Sequence, residues 1–184
     1  AIVKRLVTLH QGQIHAYSEL GKGSEFVFQC WFDEESSEAP PKSEKRQYTD
    51  LPPLTDIRIL LAEDNELNSF MVTHMLNTWG ITVDTVKNGK EALEKVETTP
   101  YNLILMDAHM PIMSGFDAIR TIRNDPQEHI RKIPIISISA SVLQREQQAA
   151  YAAGADAVVG KPFDPVSLYQ IIKTLTHTTT KNTK

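Results

Sequence analysis

The sequence predicts an α/β fold in which five parallel strands form one doubly wound sheet with helices on both faces. Apolar runs of strand length alternate with segments of helical periodicity from residue 57 onwards. The run at 103–106 is apolar throughout and bounded by polar residues, which is typical of a strand buried on both faces of a parallel sheet. Parallel crossovers are right-handed, so the intervening helices cover both faces.

The elements follow one another in a regular order. The predicted strands span residues 57–62, 81–86, 103–107, 133–139 and 156–160. The predicted helices span 66–79, 114–123 and 142–153, with one more beginning at 88 and a last one at 164. Asn88, with Glu91 three residues later, has the pattern of a capping box, and Ser141 with Gln144 repeats it before the 142–153 helix.

Residues 1–32 form a smaller piece with a different pattern. An apolar helical periodicity over the first nine residues precedes two strand-like runs, at 14–17 and 25–32, with Gly21 and Gly23 in the turn between them. A helix and a hairpin of this length cannot bury a full core alone. We therefore predict that this incomplete piece is the end of a larger domain.

The segment 33–56 is charged, proline-rich and nearly free of aliphatic side chains. Such a composition buries too little apolar surface to offset the entropy lost on ordering, so the segment is predicted to be an interdomain linker. The second domain is placed at 57–176. The polar residues 177–184 are predicted to form a flexible tail.

Composition narrows the classes of function. The chain has 184 residues and a net charge of −4, and no run of lysine or arginine suggests nucleic-acid binding. The single cysteine, Cys30, fits a reducing compartment and hence a cytoplasmic location. No stretch is long and apolar enough to span a bilayer, and no signal peptide is evident, so no membrane contact by this chain is expected. The chain opens directly into an apolar helical pattern. The sequence therefore leaves open whether the parent protein has a membrane anchor upstream.

Charged and hydroxyl side chains stand where the predicted strands end. Glu63 and Asp64 follow the first strand, and Asp107 ends the third. Ser139 ends the fourth strand, and Lys161 follows the fifth. Ligands of an open parallel sheet bind at the carboxyl ends of its strands, and three carboxylates there form the oxygen-rich site that Mg²⁺ prefers, with Mn²⁺ as the alternative. No GxGxxG motif follows the first strand, so dinucleotide binding has no support.

These groups together suit phosphoryl transfer to a carboxylate. A divalent cation would offset the repulsion between an attacking carboxylate and an incoming phosphoryl group. Asp107 would be the nucleophile and would form an aspartyl phosphate. Lys161 would pair with phosphoryl oxygens, while Ser139 would donate a hydrogen bond to the phosphoryl group and move toward it as a switch.

The second piece resembles the receiver domains of two-component response regulators over essentially all of residues 57–175. The matching strings, in order, are LLAEDN, LILMDAHMPIMSGFDAIR, PIISISAS and GADAVVGKPF. The resemblance implies the flavodoxin-like receiver fold and a magnesium pocket with these ligands: Glu63, Asp64, Asp107 and the backbone carbonyl of His109. It also implies that His109 and Ser141 tune the rate at which the aspartyl phosphate hydrolyses.

Three positions depart from the family pattern. The family often has an aromatic residue three places before the lysine, which swings inward on activation, whereas this chain has Val158 there. Ser139 stands in place of threonine and keeps the hydroxyl, and Glu63 stands in place of aspartate. The resemblance therefore leaves Ser139, rather than an aromatic side chain, as the responding group.

Residues 1–32 resemble the end of the ATP-binding domain of sensor histidine kinases. The resemblance rests on the patterns AIVKRLV and GKGSEFVF. In that family the residues that hold ATP lie upstream of the segment that matches Ala1. No nucleotide-binding residue is therefore assigned to this chain, and whether the chain is itself an enzyme stays open.

The two resemblances together predict the C-terminal part of a hybrid sensor histidine kinase. Its receiver would take a phosphoryl group from a phosphohistidine onto Asp107, and would then relay it or lose it by hydrolysis. The expected partners are the dimerisation domain of a kinase as donor, a histidine phosphotransfer protein, or both. The apolar face of the first predicted helix would pack on the receiver or on a second copy of the chain, as a homodimer.

Two other classes of function are open to the same residues. The receiver could be a regulatory docking module that acts without phosphorylation, although such a module does not need Asp64, Asp107 and Lys161 together. A phosphatase with an aspartyl nucleophile requires a DxD motif. His109 stands where the second aspartate of that motif would be, which argues against a phosphatase.

Overall fold

The computed structural model describes residues 2–31, 48–139 and 144–180 of the chain. The chain divides into two compact units, Ala1–Lys45 and Arg46–Lys184. Within the described ranges, no helix is both long and apolar enough to cross a membrane.

The smaller unit is a helix followed by a β-hairpin, as the sequence predicted. Its elements are α1 (Ile2–Leu9) and two antiparallel strands, β1 (Gln13–Glu19) and β2 (Gly23–Gln29). A β-carbon at Gly12 would lie 2.1 Å from the backbone oxygen of Gln29, so only glycine allows the chain to enter the hairpin this closely. Val7 is buried, whereas several large apolar side chains of this unit are exposed: Leu6, Tyr17, Phe26, Phe28 and Trp31.

The larger unit is a five-stranded parallel sheet with helices on both faces, which confirms the predicted fold class. Its strands are β3 (Arg58–Ala62), β4 (Thr82–Val86), β5 (Leu103–Asp107), β6 (Ile135–Ser139) and β7 (Ala157–Gly160). Its helices are α2 (Glu66–Thr78), α3 (Gly89–Thr98), α4 (Gly115–Arg123), α5 (Glu128–Arg131), α6 (Gln144–Ala153) and α7 (Pro165–Thr180). The sequence did not predict α5, because four residues give no measurable periodicity. The strand order is β4-β3-β5-β6-β7, so the direction of winding reverses between β3 and β5.

The sheet separates two apolar cores. On one face, α2 and α7 pack on alternate strand residues such as Ile59, Leu61 and Leu105. On the other face, α3, α4 and α6 pack on Leu60 and Ile104. All five residues of β5 are buried, which explains why this strand is apolar until its last residue.

The helix ends agree with the sequence in part. Asn88 Oδ1 accepts the N–H of Glu91 at 3.0 Å, as predicted for a cap. The Glu91 carboxylate reaches back to the N–H of Lys87 at 2.9 Å, one residue further than in the usual capping box. Ser141, the other predicted cap, lies outside the described residues.

The last helix is longer than the sequence predicted. Residues 177–180, assigned to a flexible tail, continue α7 as far as Thr180. The helix is anchored by buried side chains at Leu168, Tyr169 and Ile172. Once a helix is nucleated in this way, each added residue gains a backbone hydrogen bond, so a polar sequence can extend it.

Residues 48–54, which we call the strap, belong to the larger unit rather than to a linker that ends at residue 56. Leu51 and Leu54 are only 8% and 5% exposed and pack in the core beside α2 and α7. The N–H of Leu54 donates to the backbone oxygen of Trp79 at 2.6 Å. The linker prediction rested on the mean composition of the segment, which its prolines and charged residues dominate. It therefore missed the burial of these two leucines.

The strap also accepts hydrogen bonds from the polar atoms of two buried aromatic side chains. The Trp79 indole Nε1 donates to the backbone oxygen of Tyr48 at 2.8 Å, and the Tyr169 hydroxyl donates to that of Pro52 at 2.8 Å. Buried tryptophan and tyrosine need such partners because their polar atoms lose contact with water. Trp79 and Tyr169 also meet edge to face, with ring centroids 5.2 Å apart.

Replacement of Leu54 by alanine is expected to lower the free energy of unfolding of the larger unit by about 2–3 kcal/mol, because the truncation leaves a cavity in a buried site. Urea denaturation followed by circular dichroism measures this loss. Leu67→Ala is the matched control, since Leu67 is 67% exposed, and should change stability by less than about 0.5 kcal/mol. Equal losses in the two variants would contradict the packing of the strap.

Candidate functional site

Three carboxylates meet at the carboxyl end of the sheet, where the strand order reverses. Glu63 and Asp64 follow β3, and Asp107 ends the neighbouring strand β5. One oxygen from each carboxylate lies within 4.8 Å of the others. Glu63 and Asp107 are buried, whereas Asp64 is exposed. The structure therefore brings together the three predicted carboxylates, and they could hold a metal ion.

The Lys161 ammonium group lies between two of these carboxylates. Its Nζ is 2.5 Å from Glu63 Oε2 and 2.6 Å from Asp107 Oδ2. The backbone N–H of Lys161 donates to the backbone oxygen of Ser139 at 2.7 Å, which fixes the end of β7 against β6. Burial opposes the charge, but the hydrogen bonds to Asp107 and Glu63 outweigh it and raise the pKa of Lys161 above its usual value. Lys161 is thus a fixed cation beside Asp107.

Asp107 has a hydrogen-bond donor at each carboxylate oxygen. Oδ2 accepts from Lys161, and Oδ1 accepts the backbone N–H of His109 at 3.2 Å. Burial raises the pKa of Asp107, the charge of Glu63 adds to this rise, and the two hydrogen bonds oppose it. The negative charge on Asp107 is therefore sensitive to any cation that enters the cluster.

The first turn of α2 holds the other oxygen of Glu63. Asn68 Nδ2 donates to Glu63 Oε1 at 3.1 Å, and the N–H of Asn65 approaches the same oxygen at 3.4 Å. The Asn65 side chain caps α2 by accepting the N–H of Asn68 at 3.1 Å. The sequence analysis missed the role of Asn68. Its place in the first helical turn after the acidic pair is the signal that could have indicated it.

The backbone after Asp107 is held tightly against the sheet. The N–H of Ala108 donates to the backbone oxygen of Ile138 at 2.8 Å, and the N–H of Gly115 donates to that of Ala108 at 3.1 Å. A β-carbon at Gly115 would lie 2.0 Å from the backbone oxygen of Asp107. Only glycine therefore permits α4 to begin this close to Asp107.

Ser139 and His109 are linked through a glutamate that the sequence analysis did not select. The buried Ser139 hydroxyl donates to Glu146 Oε2, and Glu146 Oε1 lies 3.6 Å from His109 Nε2. The His109 ring also meets Phe116 edge to face, with centroids 5.9 Å apart. The sequence carried little signal for this contact, because Glu146 looks like an ordinary acidic residue in the first turn of a helix. Ser141, the other residue predicted to tune the rate, lies outside the described residues.

One family model covers nearly all of the sheet and the helices around this cluster. The model, described as response regulator receiver domain, matches residues 59–173, from the second residue of β3 into α7. This chain belongs to the response regulator receiver domain family. The carboxylate cluster and Lys161 thus stand at the carboxyl ends of the strands of a receiver domain.

The receiver and the smaller unit both fall within the similarity to longer proteins. The chain is 32% identical over 181 residues to the Autoinducer 2 sensor kinase/phosphatase LuxQ of Vibrio cholerae serotype O1, covering 96% of this chain and 20% of LuxQ. It is 33% identical over 174 residues to the Aerobic respiration control sensor protein ArcB of Escherichia coli K12, covering 94% of this chain and 22% of ArcB. The chain therefore spans about a fifth of the length of these relatives.

A solved structure matches the receiver closely. The crystal structure of the receiver domain of the sensor histidine kinase PA1611 from Pseudomonas aeruginosa PAO1 has 35% sequence identity to this chain and a TM-score of 0.62. The match covers 66% of this chain and 98% of that one. In that structure a magnesium ion is coordinated in the active site cleft.

Proposed function

We propose that this chain is the phosphoacceptor part of a hybrid sensor histidine kinase, and that Asp107 receives the phosphoryl group from a phosphohistidine. The observation that carries the proposal is the position of Asp107. Its carboxylate is buried at the end of β5, its Oδ2 is 2.6 Å from the Lys161 ammonium, and Glu63 and Asp64 stand beside it. A nucleophile, a fixed cation and two further carboxylates are the parts that phosphoryl transfer to an aspartate needs.

The donor set fits Mg²⁺, with Mn²⁺ as the alternative. The ligands would be Glu63, Asp64, Asp107 and the backbone carbonyl of His109. Carboxylate and carbonyl oxygens suit such ions, and the three carboxylates already lie within 4.8 Å of one another. When bound, the ion would supply positive charge that offsets the repulsion between the carboxylates and the phosphoryl group.

The chain's own residues would carry the remaining chemistry. An Asp107 carboxylate oxygen attacks phosphorus, an O–P bond forms, and the N–P bond of the phosphohistidine breaks with its electron pair returning to the imidazole. Lys161 is already within hydrogen-bond distance of Asp107, so it can pair with a phosphoryl oxygen after a small movement. Ser139 would donate its hydroxyl hydrogen to another phosphoryl oxygen. His109 and Ser141 would tune how fast water removes the phosphoryl group.

The surface beside the site suits a protein that presents a phosphohistidine. A cavity of about 490 Å³ adjoins Glu63 and Lys161, and its other walls are largely apolar: Tyr48, Met71, Val72, Met75, Pro162 and Phe163. Leu67, Phe70 and Met71 are exposed on the adjoining part of α2. A donor must bring its imidazole to Asp107, so its neighbouring apolar side chains would meet this face. The adaptable methionines would help it to accept such a partner.

The smaller unit would be the end of the kinase ATP-binding domain. Two observations support this proposal: the LuxQ similarity covers 96% of the chain, and the predicted helix and hairpin are present. The exposed Phe26, Phe28 and Trp31 would be covered by the upstream part of that domain or by a second copy of the chain. The receiver would act in the cytoplasm, which its single cysteine favours.

Intact-mass spectrometry tests the proposed reaction. Incubation with acetyl phosphate and Mg²⁺ is expected to add one phosphoryl group, and addition of a chelator before acetyl phosphate is expected to prevent the adduct, because the carboxylates would then repel the donor. Beryllofluoride, which mimics the phosphoryl group and does not hydrolyse, separates a short-lived adduct from no reaction. Absence of both an adduct and beryllofluoride binding would overturn the proposal in favour of a docking module.

A further inference from the structure

Both oxygens of the Glu146 carboxylate face residues that flank the phosphorylation site. Oε2 accepts the hydroxyl hydrogen of Ser139, and Oε1 is 3.6 Å from His109 Nε2. The Glu146 side chain is 29% exposed, and it projects from the first turn of α6. Neither the resemblance to receivers nor the family match assigns it a role.

The hydrogen bond commits the Ser139 hydroxyl to an acceptor other than Asp107. A hydroxyl group has one hydrogen and donates it to one acceptor at a time. While Ser139 donates to Glu146, it cannot donate to a phosphoryl oxygen on Asp107. An ionised carboxylate is a strong acceptor, so the exchange of partners carries a free-energy penalty.

We propose that Glu146 is a positioning residue that competes with the phosphoryl group for the Ser139 hydroxyl. The inference rests on the proposed phosphoacceptor function and extends it. In the unphosphorylated receiver, Glu146 holds the Ser139 hydroxyl through this hydrogen bond. Binding of a phosphoryl group requires Ser139 to leave Glu146, so the glutamate lowers the stability of the phosphorylated arrangement relative to the unphosphorylated one.

Beryllofluoride affinity at saturating Mg²⁺ measures this competition by calorimetry. Glu146→Gln keeps the size of the side chain and removes its charge, and is expected to tighten beryllofluoride binding about tenfold, as loss of part of a charge-assisted hydrogen bond predicts. Glu146→Ala should tighten it at least as much. Circular dichroism confirms that each variant is folded.

A double-mutant cycle with Ser139→Ala separates competition from a merely structural role. Without the Ser139 hydroxyl, Glu146→Gln should change beryllofluoride affinity less than about twofold. A structural role would instead weaken binding in both backgrounds. Glu94→Gln is the matched control, because it removes an exposed glutamate charge on α3, where the carboxylate is 4.0 Å from Lys90.

The outcomes distinguish this inference from the function on which it rests. If the unchanged receiver does not bind beryllofluoride with Mg²⁺, the proposed function fails and Glu146 has nothing to compete with. If the unchanged receiver binds beryllofluoride but Glu146→Gln does not bind it more tightly, the inference alone is overturned. A gain that persists without the Ser139 hydroxyl would overturn it as well, since the effect would then act through another group.

Discussion

Replacement of Asp107 by asparagine is expected to abolish the phosphoryl adduct formed with acetyl phosphate and Mg²⁺. The amide has nearly the shape of the carboxylate, but its nitrogen is a poor nucleophile. The substitution also removes one negative charge from the cluster. One amide atom would also face the Lys161 ammonium, 2.6 Å from the present Oδ2. Intact-mass spectrometry should show the adduct in the unchanged chain and none in the variant.

Asp117→Asn serves as the charge-matched control for that experiment. Asp117 is an exposed aspartate on α4, paired with Arg120 at 2.8 Å. Its replacement should leave the adduct at the level of the unchanged chain, because exposed ion pairs contribute little and Asp117 is not part of the cluster. A phosphoryl group that still appears in Asp107→Asn would place the nucleophile elsewhere, and peptide mapping would identify it.

Replacement of Lys161 by methionine is expected to slow phosphorylation by acetyl phosphate about 100-fold, the usual effect of removing a fixed group that stabilises developing charge. The variant leaves Glu63 and Asp107 without the cation that now lies 2.5 Å and 2.6 Å from their oxygens. Loss of that cation also raises the pKa of Asp107, because burial and Glu63 then act unopposed by the ammonium group. Fewer molecules would carry the ionised nucleophile at a given pH.

Saturating Mg²⁺ separates the role of Lys161 from an effect on metal affinity. The rate loss should persist when the metal concentration is raised until the rate no longer changes. Lys132→Met, which removes an exposed ammonium paired with Glu128 at 2.6 Å, is the control and should react normally. If Lys161→Met is phosphorylated as fast as Lys132→Met, Lys161 is a structural partner of Glu63 and has no part in phosphoryl transfer.

Residues whose position depends on their strand were predictable from the sequence. Asp107 ends a short apolar run that is typical of a doubly buried strand, and β5 indeed begins at Leu103 and ends at Asp107. Glu63 and Asp64 were placed beside Asp107 because parallel strands end at one edge of a sheet. The strand order reverses between β3 and β5, and the three carboxylates lie at the carboxyl ends of these two strands. A local sequence pattern was therefore enough to predict a cluster that forms only in the folded chain.

Residues whose place in the site depends on one distant contact were not predictable in this way. Glu146 meets Ser139 and His109 through side chains whose directions no periodicity encodes. The strap was missed for a related reason. Its two leucines stand among prolines and charged residues, and their burial depends on Trp79 and Tyr169, far along the chain.

The hydrogen bond from Trp79 to the strap also has a spectroscopic consequence. The chain contains two tryptophans, the fully buried Trp79 in the receiver and the exposed Trp31 in the smaller unit. An indole in an apolar core emits at shorter wavelength than one in water, so their emission bands report on different units. Release of the strap would wet Trp79 and shift its band to the red, while the band of Trp31 would stay in place. Tryptophan fluorescence could therefore report release of the strap from the receiver domain without an added label.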